Sequence, residues 1–138
     1  MKKIIVLLSI FLILAACGNE KVNERSDSSD DGTVEETNGK YETIELDEIE
    51  NYVQQGYIVA DVREVDEFEA GHIPDALNAP LSVLQEGDFS ALDRNEKYVI
   101  ICRSGNRSIQ ASDILTNEGF HVVNVREGMS SWAGEVEY

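Results

Sequence analysis

The stretch from residue 102 to residue 107 places a thiol beside two guanidinium groups. It reads Cys102-Arg103-Ser104-Gly105-Asn106-Arg107 and follows an apolar run that begins at Tyr98. Glycine and asparagine tolerate the positive φ of tight turns, so the backbone N–H groups of this loop can converge into an anion nest. Such a nest, a following helix dipole and two arginines would stabilise a thiolate, the nucleophilic form of cysteine. We therefore predict that Cys102 is a nucleophile.

The alternative for Cys102 is a small hydrophobic residue at the end of a buried strand, as a lone cysteine often is. The glycine, the two arginines and the position between a strand and a helix favour the reactive interpretation. Two nearby hydroxyl groups, on Ser104 and Ser108, are candidate hydrogen-bond donors to a charged sulfur. Ser108 would equally serve as a helix cap.

Alternating strands and helices must position this loop. Apolar runs predict buried strands at residues 57–62, 97–102 and 121–125, with shorter extended segments at 43–46 and 76–80. Helices are predicted at residues 48–55 (capped by Asp47), 65–70, 81–84, 108–118 and 128–132. This alternation is typical of an α/β fold with a parallel sheet covered by helices on both faces. Ligands of such sheets bind beyond the carboxyl ends of the strands, where residues 61–63 and 102–107 both fall.

Charged residues near these strand ends have two interpretations. Asp61 and Arg63 would point to the same side of an extended strand end. They either lie at the rim of the site or form a structural ion-pair network with Glu67 or the Cys102 loop, and we favour the structural role. We expect the ring of His72 to hydrogen-bond to backbone and fix a turn. The two histidines and the single thiol give no metal-binding signature.

Several segments together resemble the single-domain rhodanese family of sulfurtransferases. They are Asp-Val-Arg at 61–63, "EFEAGHIP" at 67–74, "CRSGNRS" at 102–108 and "EGMSSW" at 127–132, in the family's usual order. The resemblance runs from about residue 43 to residue 132. It implies a small doubly wound parallel sheet of about five strands with helices on both faces. It also implies that Cys102 accepts a sulfane sulfur, from thiosulfate or a persulfide, and passes it to cyanide or a thiol.

By the same resemblance, residues 102–107 form the active-site loop, whose amides and Arg107 cradle the substrate or the persulfide. The family implies neither a metal nor an organic cofactor. Protein tyrosine phosphatases place one more residue between the cysteine and the arginine than the four found here, and the shorter loop favours sulfur chemistry. The alternative function is a rhodanese-like module that carries sulfur, senses thiol oxidation or binds a partner without turnover.

The first residues have the pattern of an exported bacterial lipoprotein. Lys2 and Lys3 precede an apolar segment, residues 4–14, that is shorter than the roughly 20 residues of a membrane span. Leu-Ala-Ala-Cys at 14–17 resembles the lipobox, which implies cleavage after residue 16 and lipid on Cys17. A plain signal peptide with a chance cysteine is the alternative. We expect residues 17–40 to form a flexible acidic tether and residues 41–138 to form the domain.

Charge and cysteine content limit the partners. The formal net charge of −16 disfavours binding to nucleic acid and electrostatic binding to anionic lipid. Attachment to the outer face of a bacterial cell membrane would therefore depend on the lipid at Cys17. Cys17 and Cys102 are the only cysteines, so lipidation leaves Cys102 without a disulfide partner in the chain. The expected partners are a small sulfur donor and a thiol or cyanide acceptor, and the expected state is a monomer.

Overall fold

The computed structural model describes residues 40–138. The predicted signal peptide, the lipid site at Cys17 and all of the predicted tether except Lys40 lie outside the described residues. The strands are β1 (Glu42–Ile44), β2 (Tyr57–Asp61), β3 (Leu77–Asn78), β4 (Lys97–Cys102) and β5 (His121–Gly128). The helices are α1 (Ile49–Gln54), α2 (Val65–Glu69), α3 (Leu81–Gln85) and α4 (Asn106–Asn117), with a 3₁₀ turn at Leu46–Glu48.

The five strands form one parallel sheet in the order β1-β5-β4-β2-β3. This confirms the predicted α/β fold with a doubly wound sheet. Strand β4 lies at the centre, and its residues 98–102 are all buried because both of its faces are covered. Among the described residues, no helix is both long and apolar enough to cross a lipid bilayer.

Alternate residues of β4 enter two separate hydrophobic cores. Tyr98, Ile100 and Cys102 belong to the core that α3 and α4 cover, and Val99 and Ile101 belong to the core that α1 covers. Cys102 is therefore the last core residue on the α4 face of its strand, and the chain leaves the sheet directly after it.

The predicted helix at 128–132 is wrong. Strand β5 extends to Gly128, and a turn follows at residues 129–131. The backbone N–H of Met129 donates to the carbonyl of Cys102 (2.8 Å), and that of Ser130 donates to the carbonyl of Arg103 (3.0 Å). These bonds to a distant segment hold the chain as a single turn. Trp132 and Met129 nevertheless pack against the sheet, on the face that α1 covers.

Other element boundaries also differ from those predicted, among them that of β1, which ends at Ile44 rather than at residue 46. Asp47 lies inside the 3₁₀ turn and does not cap a helix, because the turn already begins after Glu45, whose N–H donates to the Glu48 carboxylate (2.8 Å). Helix α4 begins at Asn106, two residues before the predicted start, so Ser108 is not its cap. Strand β3 contains only residues 77 and 78 of the predicted 76–80, and among the described strands it pairs with β2 alone, at the edge of the sheet.

Candidate active site

The two segments predicted to contribute to a site meet because β2 and β4 are neighbours. Asp61 is paired with Ile101, and the N–H of Val62 donates to the carbonyl of Ile101 (2.9 Å). Residues 61–69 therefore run beside the loop at 102–107. The site lies at the carboxyl edge of the parallel sheet, where the fold leaves the strand ends uncovered.

The thiol of Cys102 lies beneath its own loop. The side chain is buried, and the N–H of Gly105 donates to Sγ at 3.1 Å. Gly105 has a φ of 93°, and the hydroxyl of Ser108 donates to its carbonyl (2.9 Å) and to that of Val125 (3.3 Å). Ser108 therefore supports the loop by donating to backbone carbonyl groups, and it does not donate to the sulfur. Because Cys102 is only 1% exposed, a reacting atom must reach Sγ through the mouth of the loop.

Two glycines allow β5 to pass against this loop. The pairing of β4 with β5 shifts register between Ile100 and Cys102, so that Cys102 stands opposite Gly128. A Cβ atom at Gly105 would lie 2.1 Å from the carbonyl oxygen of Arg126, and one at Gly128 would lie 2.3 Å from the backbone of Arg103. Any larger side chain at either position would push the last strand away from the loop.

The turn after β5 fixes the first residues of the loop. Besides the two backbone bonds from Met129 and Ser130, the hydroxyl of Ser130 donates to the carbonyl of Arg103 (2.8 Å). The carbonyl groups of Cys102 and Arg103 are thus held by a segment more than 25 residues further along the chain. The "EGMSSW" segment contributes to the site through its backbone and one hydroxyl group.

Arg107 is paired with a carboxylate. Its Nη1 and Nη2 donate to Oε2 and Oε1 of Glu67 on α2, at 2.6 and 2.8 Å. These hydrogen bonds from Arg107, together with one from the backbone N–H of Glu64 and the charges of Arg107 and Arg63, lower the pKa of Glu67 to about 2. The hydrogen bonds to Glu67 raise the pKa of Arg107, and its electrostatic interactions with Glu67, Cys102 and Glu64 act in the same direction.

The pairing of Glu67 with Arg107 was not predicted from the sequence. The sequence indicates Glu67 as a possible partner for Asp61 and Arg63, and as part of the family-like segment at 67–74. The one signal for this pairing in the sequence is an acidic side chain in a helix directly after a strand that ends at the same sheet edge as Cys102. The pairing with Arg107 spans 40 residues and follows from the adjacency of β2 and β4.

Asp61 and Arg63 form a buried ion pair, with Nη2 of Arg63 2.6 Å from Oδ2 of Asp61. The side chains are 1% and 9% exposed, and Nε of Arg63 also donates to both carboxylate oxygens. The predicted ion-pair network reaches Glu67 only through charge, because the guanidinium of Arg63 helps to lower the pKa of Glu67. The remaining side-chain hydrogen bond of Arg63 goes to the carbonyl of Gly71 (2.8 Å). The pair therefore ties the end of β2 to Gly71, just before the turn that the structure places at residues 73–76.

The ring of His72, just before this turn, hydrogen-bonds to backbone as expected. Its Nδ1 lies 3.0 Å from the carbonyl oxygen of Phe68, and its ring stacks on the Phe68 ring with 3.8 Å between centroids. Backbone hydrogen bonds between His72 and Glu137, both 2.9 Å, attach the last residues of the chain. The imidazole thus serves the turn and lies outside the sulfur site.

The mouth of the loop carries the exposed residues Arg103, Ser104 and Asn106. Among residues 40–138, the guanidinium of Arg103 has no ion-pair partner, in contrast to that of Arg107. Within the same described range, no three His, Cys, Asp or Glu side chains are grouped so as to hold a metal ion.

A buried thiol at a strand end, under an amide donor and a tight six-residue loop, matches a known protein family. The family model for the rhodanese-like domain aligns with residues 45–135. The chain belongs to this family. A rhodanese-related protein from Thermoplasma volcanium has a similar structure, with a TM-score of 0.64 and 35% identity over 70% of this chain and 98% of that one.

Two further proteins are similar in sequence to this rhodanese-like domain. YtwF of Bacillus subtilis (strain 168) is 40% identical over 96 residues, which cover 70% of this chain and 85% of that protein. A protein of Allochromatium vinosum named Sulfurtransferase is 38% identical over 77 residues, which cover 55% of this chain and 71% of that protein. The rhodanese-like assignment therefore rests on sequence, on fold and on the loop around Cys102.

Proposed function

We propose that the protein is a sulfurtransferase that carries sulfur on Cys102 as a persulfide. The thiolate attacks the terminal sulfur of a donor such as thiosulfate or an organic persulfide. A new S–S bond forms at Sγ, the S–S bond of the donor breaks, and sulfite or a thiolate leaves with the electron pair. Cyanide or an acceptor thiol then takes the outer sulfur and restores the Cys102 thiolate, so the protein undergoes no net oxidation.

The observation that carries this proposal is the hydrogen bond from the N–H of Gly105 to Sγ, at 3.1 Å. It places a backbone donor where negative charge resides on the thiolate, and close to the charge of a persulfide bound there. The positive charge of Arg107 also acts on Cys102. Relatives of this chain include a protein named Sulfurtransferase, which supports sulfur transfer as the reaction class.

Intact-mass spectrometry tests the proposal directly. Both hydrophobic cores consist of residues after position 40, so a protein of residues 18–138 retains every described core contact. It is incubated with thiosulfate or with a small alkyl hydropersulfide, in parallel with the Cys102→Ala variant. The expected result is a gain of one sulfur atom on the parent alone, reversed by cyanide or dithiothreitol. A folded parent that gains no sulfur from either donor would overturn the proposal.

The burial of Cys102 favours one alternative, a carrier that loads sulfur without rapid turnover. At 1% exposure, Sγ is open to a small donor but poorly open to a bulky acceptor. Comparing the rate of single sulfur loading with the rate of thiocyanate formation from cyanide separates the two functions. Loading that is far faster than turnover with every acceptor would identify the carrier.

We also propose that lipid on Cys17 anchors the protein to the outer face of a bacterial cell membrane. The support is the lipobox-like sequence at 14–17 after a basic and apolar segment. Detergent phase partitioning of the full chain expressed in a bacterium tests this proposal. The parent should enter the detergent phase, and the Cys17→Ala variant should not carry the lipid mass. A parent without lipid mass would show that the cysteine occurs there by chance.

A further inference from the structure

Two carboxylates act on Arg107, which is one of the two arginines of the loop. Arg103 and Arg107 are positive, and Glu64 and Glu67 at the start of α2 are negative. Their charges cancel as a set, although the loop sequence by itself carries two positive charges. The opposing carboxylates come from a helix that follows a different strand, so the balance depends on the fold.

Glu67 is built into its position and is ionised at neutral pH. Both of its carboxylate oxygens accept hydrogen bonds from Arg107, and one also accepts from the N–H of Glu64 at 3.2 Å. Its side chain is 28% exposed, and that of Arg107 is 29% exposed. Arg107 is thus compensated by a fixed negative charge, and a bound donor would face the pair rather than an isolated guanidinium.

We propose that Glu67 determines specificity by disfavouring doubly charged donors, so that the site selects sulfane-sulfur donors with at most one negative charge, such as small organic persulfides, over the thiosulfate dianion. This inference rests on the proposed sulfur transfer. Each negative charge that a donor brings to the loop is repelled by Glu67 as well as attracted by Arg107. A second charge on the donor therefore gains little from Arg107, and the acidic surface of the protein repels it further.

A purely structural role for Glu67 makes a different prediction. If the carboxylate only orients Arg107, its removal would slow sulfur loading from every donor by the same factor. The informative quantity is therefore the ratio of kcat/KM for thiosulfate to kcat/KM for an alkyl hydropersulfide. A shared loss of loop geometry leaves this ratio unchanged.

The test compares three substitutions in the protein of residues 18–138. Glu67→Gln removes the charge, Glu67→Asp keeps it, and Glu69→Gln removes an equal charge from the exposed end of the same helix. We expect Glu67→Gln to raise the ratio about five- to tenfold in favour of thiosulfate at low salt, from one unit charge acting across several ångströms of partly hydrated space. Glu67→Asp and Glu69→Gln should stay within about twofold of the parent, and the change should shrink at high salt.

The outcomes distinguish this inference from the proposed function. A parent that forms no Cys102 persulfide with either donor overturns both. A parent that loads sulfur, with a ratio that Glu67→Gln leaves unchanged or that Glu69→Gln raises equally, overturns only the role of Glu67. If Glu67→Gln does not fold, Glu67→Ala takes its place, because it removes the same charge. The same rise in the ratio is then expected relative to Glu69→Gln, and an unchanged ratio would refute the inference.

Discussion

Replacing Gly105 by alanine should destabilise the protein by two separable effects, and the chain offers a matched control for each. Gly105 combines a positive φ of 93° with a close approach of β5, since a Cβ atom there would lie 2.1 Å from the carbonyl oxygen of Arg126. Gly87 has a similar φ of 82°, but a Cβ atom there would have nothing within 4 Å. Gly128 has an ordinary φ, but its Cβ would lie 2.3 Å from the backbone of Arg103. Alanine at Gly87 therefore tests backbone strain alone, alanine at Gly128 tests close contact alone, and alanine at Gly105 tests both together.

The magnitudes follow from these geometries. A side chain held at positive φ costs about 1 kcal/mol, which is the loss expected for Gly87→Ala. An added methyl group that forces backbone apart costs about 2–3 kcal/mol, which is the loss expected for Gly128→Ala. Gly105→Ala should lose about 3–4 kcal/mol, and its melting temperature should fall by roughly 15–25 °C, against about 4–8 °C for Gly87→Ala. Its sulfur loading should fall more than about tenfold, because the N–H at 3.1 Å from Sγ is displaced.

Urea unfolding and thermal melts of the three variants measure these losses, and intact-mass loading assays measure the chemistry. The reasoning would be refuted if Gly105→Ala and Gly87→Ala lost the same stability to within about 0.5 kcal/mol, near the additivity error of such measurements. That result would mean that β5 does not pass against the loop. Gly128→Ala tests the approach of β5 to the loop from the β5 side. If that approach is close, both Gly128→Ala and Gly105→Ala should lose more stability than Gly87→Ala.

Three further results are expected. Because the pKa of Glu67 is lowered to about 2 from its ordinary 4.5, the stabilisation from this carboxylate is complete above pH 4.5 and is lost as the pH falls toward 2. Urea unfolding of the parent should therefore lose about 1–2 kcal/mol more across that interval than unfolding of Glu67→Gln, after allowance for solvent screening; parallel curves would contradict this. Asp61→Asn should cost about 3 kcal/mol in urea because it leaves Arg63 buried without its counter-charge, and a loss below about 1 kcal/mol would show that water compensates the guanidinium. Tyr98→Phe should cost about 1 kcal/mol, since the hydroxyl accepts from the N–H of Asp93 at 2.7 Å, while sulfur loading, measured by mass, should not change.

The central strands could be predicted because burial leaves a simple trace in the sequence. The structure has β4 at Lys97–Cys102, the same residues as predicted, since a strand covered on both faces is apolar where it is buried, here at residues 98–102. The positive φ at Gly105 was likewise expected from the residue type. In both cases the determining interactions are local or depend only on burial.

The pairings between distant segments could not be predicted in the same way. The bond between Glu67 and Arg107 depends on β2 lying beside β4, and no local pattern encodes strand order. The extension of β5 to Gly128 has a similar cause. Arg126 and Glu127 are polar and suggest a strand end at Val125, but pairing with the Cys102 loop prolongs the strand.

The strand order has a consequence for how the domain forms. Within residues 40–138, strand β1 pairs with β5 alone, through pairs such as Ile44 with Val125. The carbonyl groups beside the thiol are bound by Met129 and Ser130. Strands β1 and β5 pair residues such as 42 and 123, which are much further apart than the residues 57 and 97 paired between β2 and β4. Because closing the longer loop costs more entropy, we expect β1 to join the sheet late. Pulse-labelling hydrogen exchange during refolding should protect the amides of β4 before those of β1. A partly synthesised chain would then hold its cysteine in a strand but not yet in a working loop, which delays sulfur chemistry until the domain has closed.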